Sequence, residues 1–418
     1  MHAFADRLHL LHVFSSFSVG GPQVRFARFA RAMAEKYRHT VISLDGDTDC
    51  AALLDPSLDV RISTIKVNKC RGIDVANLVR FRTRLNAVRP DLLLTYNWGA
   101  IEWAVANRWW PVAPHVHFEE GFGPDEPFGK QLRRRVLFRR FALRPRTVLA
   151  VPSRTLEKIA TEVWHIDPAR LIYIPNGVDC TKFAPANNPD RPADSGTQVN
   201  AVTIGTIGLL RPEKNLARLI RCVAAMPDSP SPRLVIAGDG QERATLEAYA
   251  AASAIAGGVT FAGLVERPEE IIASFDLFAL SSDTEQMPFS IIEAMAAGLP
   301  IVATDVGDLR RMVSTENLPF LVMPEDEAGF TAGLVRLAGD PALRRRIGAA
   351  NREKVQRDFD LRAMCNAYDA LFTAMAAGPA SGRSRNKSLK VDLGMLVRRS
   401  SQQATKEEVA VRSEPPGR

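Results

Sequence analysis

The chain has 418 residues, 46% apolar and 24% charged, with 27 glycines and 27 prolines. Length sets a prior of two to three domains with cores large enough to need no disulfide or structural metal, and this composition excludes collagen, coiled coil and wholesale disorder. A net charge of +7 suits anionic partners such as nucleotides, lipid headgroups or nucleic acid, while five scattered cysteines with no C-x-x-C exclude a disulfide framework and suit a reducing cytoplasm.

The N-terminus shows no secretory pattern: its apolar stretch, Leu8 to Phe14, is short and broken by His9 and His12. That stretch predicts a first strand at 8–14. Further β-rich runs follow at 40–44, 91–96, 113–118, 147–151 and 171–174, with helical periods at 22–36, 73–89, 129–143 and 153–164. Strands without clean polar alternation, separated by amphipathic helices, imply a parallel sheet covered on both faces. Residues 1–185 therefore read as a doubly wound α/β domain.

Three places in this half carry chemistry. Gly20 and Gly21 stand between the first strand and a helix opened by Pro22. Glycines there let a phosphate reach the N–H groups of a helix N-terminus, or serve a tight turn with positive φ. His115, His117 and Glu119 alternate at the end of the 113–118 strand, so they share one face. That face meets a substrate, a core partner or, since two His and a carboxylate can ligate Zn or Fe, a metal. From Lys130 to Arg146 there are eight cations and no acid. On a helix Leu132, Val136 and Leu143 fall near one face, with Leu137 and Phe141 beside it. Such a basic amphipathic helix lies on an anionic membrane surface or packs its apolar side on the core with a solvated Arg face.

Residues 184–200, APANNPDRPADSGTQVN, have almost nothing to bury, and a linker is placed at 186–200. The alternation then restarts: strand 201–206, helix 215–226, strand 233–237, helix 241–254, strands 258–262 and 276–280, helix 288–297, strand 300–304 and helices to about 375. The longest uncharged window, 248–265, is broken by Ser253, Gly257, Gly258 and Thr260, so it reads as a helix end and a strand and not as a membrane span. Two α/β domains imply a ligand cleft between them. Past 376 the chain is polar, and residues 376–418 hold nine cations against four acids; a disordered basic tail is expected over 377–418.

In the second half, Arg211 and Lys214 follow Gly205 and Gly208 at the carboxyl end of the first strand, where open α/β sheets bind ligands. Two cations there suit a diphosphate. The third block is Glu285-Gln-Met287-Pro288-Phe289-Ser290-Ile-Ile-Glu293, followed by AMAAGLPIVAT. Its helix is predicted to start at Pro288. Glu293 is the only charge between Phe289 and Ala297, and a buried carboxylate needs a bonded partner. A ribose diol is one. Glu285 lies just ahead of the same helix, whose N-terminal N–H groups suit an anion.

Glu285-x7-Glu293 with its flank, Ile174-Pro-Asn176-Gly177-Val-Asp179 with Phe183-x-Pro185, and Ala237-Gly-Asp-Gly240 together resemble the retaining family 4 glycosyltransferases of GT-B fold, in order over roughly residues 8–375. The resemblance implies two Rossmann-like doubly wound domains facing across a cleft: residues 1–185 on the acceptor side, residues 201–358 binding the nucleotide-diphospho-sugar donor, and a helix at 359–376 crossing back onto the first domain. It also assigns residues. Glu293 would bind the ribose, Glu285 would face the sugar and its phosphate, and Lys214 would bind the diphosphate. Gly20 and Gly21 would approach from the first domain, with Gly208, Gly238, Gly240, Met287, Pro288, Phe289 and Ser290 completing the donor site. The family often has Arg directly after the glycine at 208; here that residue is Leu209, and Arg211 is the substitute. His117, or on another alignment Glu120, would be the equivalent of a histidine near the sugar, and Glu119 and Glu120 are the acceptor-side candidates.

The expected function is a retaining, hexosyl-type glycosyltransferase. It moves a sugar from a nucleotide-diphospho-sugar to the hydroxyl of a glycan or lipid-linked glycan, in bacterial cell-surface polysaccharide or glycolipid assembly. No cofactor, no metal and no nucleic acid are expected. The predicted location is cytoplasmic, peripheral on the inner face of the plasma membrane, with residues 130–146 the candidate contact. The rival readings are another activity of the fold, such as a nucleotide-sugar epimerase, or a non-catalytic sugar-nucleotide or nucleic-acid binder.

Overall fold

A computed structural model of the chain describes residues 7–68, 73–108, 111–122, 126, 131–144, 146–183, 202–227 and 232–377. The predicted linker at 186–200, and the predicted tail past Ala377, lie outside them. The chain divides into two units, Met1–Pro175 with Met364–Arg418, and Asn176–Ala363.

The first unit holds strands β1 (Leu8–Phe14), β2 (Tyr37–Ser43), β3 (Val60–Thr64), β4 (Leu92–Tyr96), β5 (His115–Phe118), β6 (Val148–Val151) and β7 (Leu171–Tyr173). They form one parallel sheet in the order β3-β2-β1-β4-β5-β6-β7. Its helices are α1 (Gly21–Ala32), α2 (Val75–Val88), α3 (Glu102–Ala106), α4 (Arg133–Ala142) and α5 (Arg154–Glu162). Strands β4, β5 and β6 are buried along their whole length, as expected for apolar runs covered on both faces. Helix starts follow the local chemistry: the Asp74 carboxylate accepts from the Asn77 N–H at the head of α2, and Ser153 Oγ accepts from the Leu156 N–H at the head of α5.

The second unit holds β8 (Val202–Ile207), β9 (Pro232–Ala237), β10 (Val259–Gly263), β11 (Leu277–Leu280), β12 (Ile301–Thr304) and β13 (Leu321–Val322), parallel in the order β10-β9-β8-β11-β12-β13. Its helices are α6 (Leu216–Ala224), α7 (Arg243–Ala251), α8 (Pro268–Ile272), α9 (Phe289–Ala296), α10 (Leu309–Met312), α11 (Glu327–Gly339) and α12 (Pro341–Asp358); α13 (Leu361–Ala376) follows. In both sheets the strand order reverses next to the first strand, so each unit has a topological switch point at the carboxyl end of β1 or β8.

The sequence reading missed four elements. β3 is an edge strand with Arg61, Ser63 and Thr64 among its five residues and no residue fully buried, so no apolar run marks it. β13 is two residues long, and α3 and α8 have five residues each, too short to show a helical period. Residues 176–183, assigned from sequence to the first domain, pack in the second unit. There Asn176 Nδ2 donates to the Met287 carbonyl at 2.9 Å, and Val178 bridges to Asp360. The last helix begins at Leu361, not 359, because Phe359 closes α12 and the Asp360 carboxylate accepts from the Ala363 N–H. From Met364 onward α13 belongs to the first unit. Tyr368 and Phe372 meet Phe29 of α1 edge-on, and Asp369 takes the Tyr37 hydroxyl at 2.8 Å and Lys36 Nζ at 2.7 Å.

His12 sits buried in central β1 because its ring is fully bonded there. Nδ1 lies 2.9 Å from the Tyr96 hydroxyl and Nε2 lies 3.0 Å from His39 Nδ1. Burial pushes both imidazoles far below their ordinary range, His39 to about 3, so the pair is neutral. Among the described residues no helix is long and apolar enough to cross a membrane.

Candidate active site

At the second unit's switch point the chain leaves β8 at Ile207 and turns through Gly208. A recess opens there, walled by residues 206–210, Lys214, Leu216, Ile236, Ala237, Leu280, Ser281 and Ser282. Its back is made by the loops after β8 and β9, stitched backbone to backbone: the Gly208 N–H donates to the Ala237 carbonyl at 3.0 Å and the Leu210 N–H to the Asp239 carbonyl at 2.9 Å. This packing accounts for two of the expected donor glycines. Gly238 has φ +133°, and a methyl group on it would collide with the Gly208 carbonyl; one on Gly240 would run into the Leu210 backbone. Neither lines the recess. Gly208 is different: the nearest atom to an added Cβ would be Lys214 Cε at 3.9 Å. Its free side faces room for a ligand.

Lys214 ends a single 3-10 turn, Pro212–Lys214, that follows the Gly208 loop. Its Nζ sits 2.5 Å from Glu285 Oε1, and Ser282 Oγ donates to the same oxygen at 2.7 Å. The two loops that supply this cluster are locked together. Ser281 Oγ bonds the Lys214 and Asn215 carbonyls at 3.0 Å each, and the Asp283 N–H donates to the Glu213 carbonyl at 2.8 Å. Asn215, left-handed at φ 42°, caps α6 and bonds Asp283, while Arg218 reaches Ser281 and Asp283. Arg211, the second cation expected at the diphosphate, is half exposed, stands 3.9 Å from Glu213 and does not line the recess. Extended backbone at this residue carries it past the loop's edge. Of the two cations, the structure brings only Lys214 to the recess.

Helix α9 starts at Phe289. Pro288 is its cap, with extended backbone (φ −69°, ψ 130°), not its first residue as the sequence reading had it, and it has no N–H to offer an anion. Ser290 and Phe289 are half-buried in the first turn. Met287 is buried; its carbonyl takes Asn176 Nδ2, and its sulfur lies 3.2 Å from the Asn176 nitrogen. Gly307, at φ +63°, brings the loop after β12 against the Glu285 and Gln286 carbonyls, where any side chain would collide. Glu293 is 5% exposed within an unbroken buried run from Ile291 to Ala296. Ser282, Asn176 and Gly307 are parts of this arrangement that sequence reasoning did not single out. Ser282, three residues before Glu285 in a strand-end loop, carried a usable signal; Gly307 carried none beyond being a glycine.

The first unit places its candidates differently. Gly20 caps α1 in extended backbone (φ −165°), so no positive-φ turn explains it, and Gly21 is the first helical residue. His115 and His117 do share a face of β5, but the face is core. Thr95 Oγ1 lies 2.8 Å from His115 Nε2 and 2.7 Å from His117 Nδ1, and His115 Nδ1 lies 2.9 Å from Thr147 Oγ1. His117 and Glu119 are both fully buried, and β5 is an interior strand of its sheet. Glu119 lies 3.5 Å from His117 Nε2 and pairs with Arg139 at 3.2 Å. Arg139 also holds Glu126 at 3.1 Å, and its guanidinium lies over the Trp164 and Trp98 rings. Burial alone would raise the Glu119 carboxyl; Arg139 and His117 outweigh it and hold it below its ordinary value. Glu120 is paired with Arg25, which is itself buried against the Phe118 and Tyr368 rings. Among the described residues no group of three His, Cys, Asp or Glu is placed to hold a metal ion.

Comparison with known proteins gives this geometry a context. Residues 20–177 match a family model described as a Glycosyl transferase 4-like domain, and residues 201–340 one described as Glycosyl transferases group 1. The chain is 27% identical over 324 residues to the UDP-Gal:alpha-D-GlcNAc-diphosphoundecaprenol alpha-1,3-galactosyltransferase of Escherichia coli, covering 75% of this chain and 81% of that one. It is 24% identical over 367 residues to the D-inositol 3-phosphate glycosyltransferase of Stackebrandtia nassauensis, covering 79% and 81%. Among solved structures it resembles the sucrose-phosphate synthase of Thermosynechococcus elongatus (TM-score 0.74, 19% identity, 89% of this chain and 100% of that one). It also resembles Anabaena HepE in complex with UDP-glucose (TM-score 0.74, 18% identity, 88% and 100%). With glycosyltransferase models matching both halves, and two parallel α/β sheets like those of GT-B neighbours, the chain belongs to the family 4 glycosyltransferases of GT-B fold.

Proposed function

We propose that this glycosyltransferase retains the anomeric configuration of its donor. It takes a hexosyl group from a nucleotide-diphospho-sugar and passes it to the hydroxyl of a glycan or lipid-linked glycan, in assembly of a bacterial cell-surface polysaccharide or glycolipid on the cytoplasmic side of the membrane. The observation that carries this reading is the Lys214–Glu285–Ser282 cluster at the edge of the Gly208 recess. A diphosphate approaching the open side of Gly208 meets the Lys214 ammonium. As the C1–O bond to the phosphate breaks, negative charge grows on the leaving group, and a fixed cation stabilises that change more than it stabilises the bound donor. The start of α9 adds partial positive charge. The acceptor oxygen bonds to C1 on the face the phosphate leaves, and its proton passes to the departing phosphate oxygen, so no protein nucleophile is needed. Glu285, held by Lys214 and Ser282, faces the sugar; Glu293 takes the ribose diol. The name of the Escherichia coli relative, whose acceptor is a diphosphoundecaprenol-linked sugar, supports the acceptor class.

The direct test supplies UDP- and GDP-hexoses with glycan acceptors, follows nucleotide release and reads the product's anomeric configuration by NMR. Donor binding without transfer, or an inverted product, would overturn the proposal. Two variants separate the carboxylates. Glu293→Gln should chiefly weaken nucleotide affinity in calorimetry, whereas Glu285→Gln should chiefly lower turnover with the donor still bound. The opposite pattern would exchange their roles. Chelation with EDTA should leave the rate unchanged, since Lys214 and the α9 dipole supply the positive charge at the diphosphate. Activity abolished by EDTA and restored by Mn or Mg would overturn the metal-free scheme.

A further inference from the structure

Asn215, the residue after Lys214, makes four separate connections. Its N–H closes the 3-10 turn that carries Lys214, donating to the Pro212 carbonyl at 3.0 Å. Its backbone is left-handed (φ 42°, ψ 50°), a region that few residues other than Gly, Asn and Asp adopt. Its Oδ1 accepts the Arg218 N–H at 3.3 Å and so caps α6. Its Nδ2 stands 3.1 and 3.2 Å from the two carboxylate oxygens of Asp283. Asp283 belongs to the other loop of the site, between Ser282 and Glu285. Its side chain points outward, 46% exposed, where Arg218 also meets it at 2.7 Å. Ser282 points the opposite way, fully buried and bonded to Glu285. The Ser281 hydroxyl ties the Lys214 and Asn215 carbonyls to the end of β11. That tie stops short of the residues that carry Glu285. The Asn215–Asp283 bridge is the next one outward, and it joins the direct neighbour of Lys214 to a residue two positions from Glu285.

We propose that Asn215 is a positioning residue for the transfer reaction: its left-handed turn and its bridge to Asp283 set the spacing of the two loops that present Lys214 and Glu285. The inference rests on the reading of Lys214 and Glu285 given above. Asn215 does not line the recess, so it acts through its neighbours. Lys214 has a flexible four-carbon stem, and its ammonium can wait at one place only if the chain beneath it is fixed. Asparagine meets both demands of the position. Glycine would accept the backbone but brings no amide. Aspartate would accept the backbone and keep the capping oxygen, but it would set a carboxylate against Asp283. Alanine would lose the bridge and resist the left-handed turn.

The test exchanges amide and carboxylate across the bridge. Steady-state transfer by the full chain is measured with the UDP- or GDP-hexose that the wild type turns over, and thermal unfolding checks that each variant is folded. Asn215→Asp should lower kcat by about tenfold, the loss of one charge-assisted bond. The donor KM should change less than kcat, because the ammonium is needed most as the leaving phosphate gains charge. Asn215→Asp/Asp283→Asn restores an amide–carboxylate pair with its ends exchanged and should recover most of the rate. Asn215→Gly, which keeps the turn without the amide, should fall between Asn215→Asp and wild type. In a Lys214→Ala chain, Asn215→Asp should cost at most about threefold more, because the group it positions is gone. If a carboxylate variant does not fold, Asn215→Gly alone and with Lys214→Ala carries the same comparison. A wild-type kcat in Asn215→Asp or Asn215→Gly, no recovery in a folded exchange variant, or an undiminished cost in the Lys214→Ala chain would overturn the proposal and leave Lys214 in the site. Lys214→Ala at the wild-type rate would instead defeat the reading of the site, and this inference with it.

Discussion

Lys214→Ala is expected to lower the transfer rate on the order of ten- to a hundredfold, because a bond to a charged group is worth roughly 1.5–3 kcal/mol. Among the described residues Lys214 is the only cation lining the recess. The substitution also strips the Glu285 carboxylate of its ammonium partner at 2.5 Å, leaving the Ser282 hydroxyl at 2.7 Å. Two effects then act together: the diphosphate loses its positive contact, and Glu285 becomes an unbalanced negative charge beside it. Lys214→Ala/Glu285→Gln should therefore be less impaired in donor affinity than the sum of the single changes predicts, the sign of coupled residues. Steady-state rates and calorimetric donor titrations on the three variants check this. A single variant with wild-type affinity and turnover would remove Lys214 from the site.

Arg139→Met should destabilise the first unit by about 3–5 kcal/mol, the usual loss when one partner of a buried ion pair is removed. The variant leaves Glu119 and Glu126, both essentially unexposed, with His117, Arg135 and the Leu132 N–H to face them. Denaturant unfolding at neutral pH gives the magnitude. Adding Glu119→Gln and Glu126→Gln to the variant should recover much of the loss, because the whole cluster is then neutral. The pH dependence follows from the direction of the Glu119 shift. Its folded carboxyl lies below the ordinary value because Arg139 outweighs burial, so its stabilisation is complete above the ordinary carboxylate range and disappears as pH falls through the lowered value. The gap between wild type and Arg139→Met should accordingly be widest at neutral pH and narrow in acid. A gap independent of pH would mean that Arg139 acts through its packing on Trp98 and Trp164 instead.

The sequence by itself determined the two α/β halves, the helix and strand ends to within a few residues at most sites, and the strand-end position of Lys214 and Glu285. Apolar runs such as Leu92–Tyr96 and helical periods are properties of neighbouring residues, and a first-strand carboxyl end is a site in this class of sheet whatever the side chains. The Lys214–Glu285 pair was legible only as two residues separately suited to a diphosphate. Their 2.5 Å contact, with Ser282 between the loops, depends on β8 and β11 being adjacent, which is a matter of topology. Tertiary structure alone decided the surroundings of His115 and His117. Alternation put them on one face, but only the neighbouring strands supply Thr95 and Thr147, which make that face core. It decided Gly238 and Gly240 too, since the obstacle to a side chain there is backbone some thirty residues away. It also decided which way α4 faces. A helical wheel ranks faces by apolarity and would turn Leu137 and Phe141 inward. Two buried carboxylates from elsewhere in the chain draw Arg139 inward instead, because an unpaired buried charge is more costly than two exposed apolar side chains.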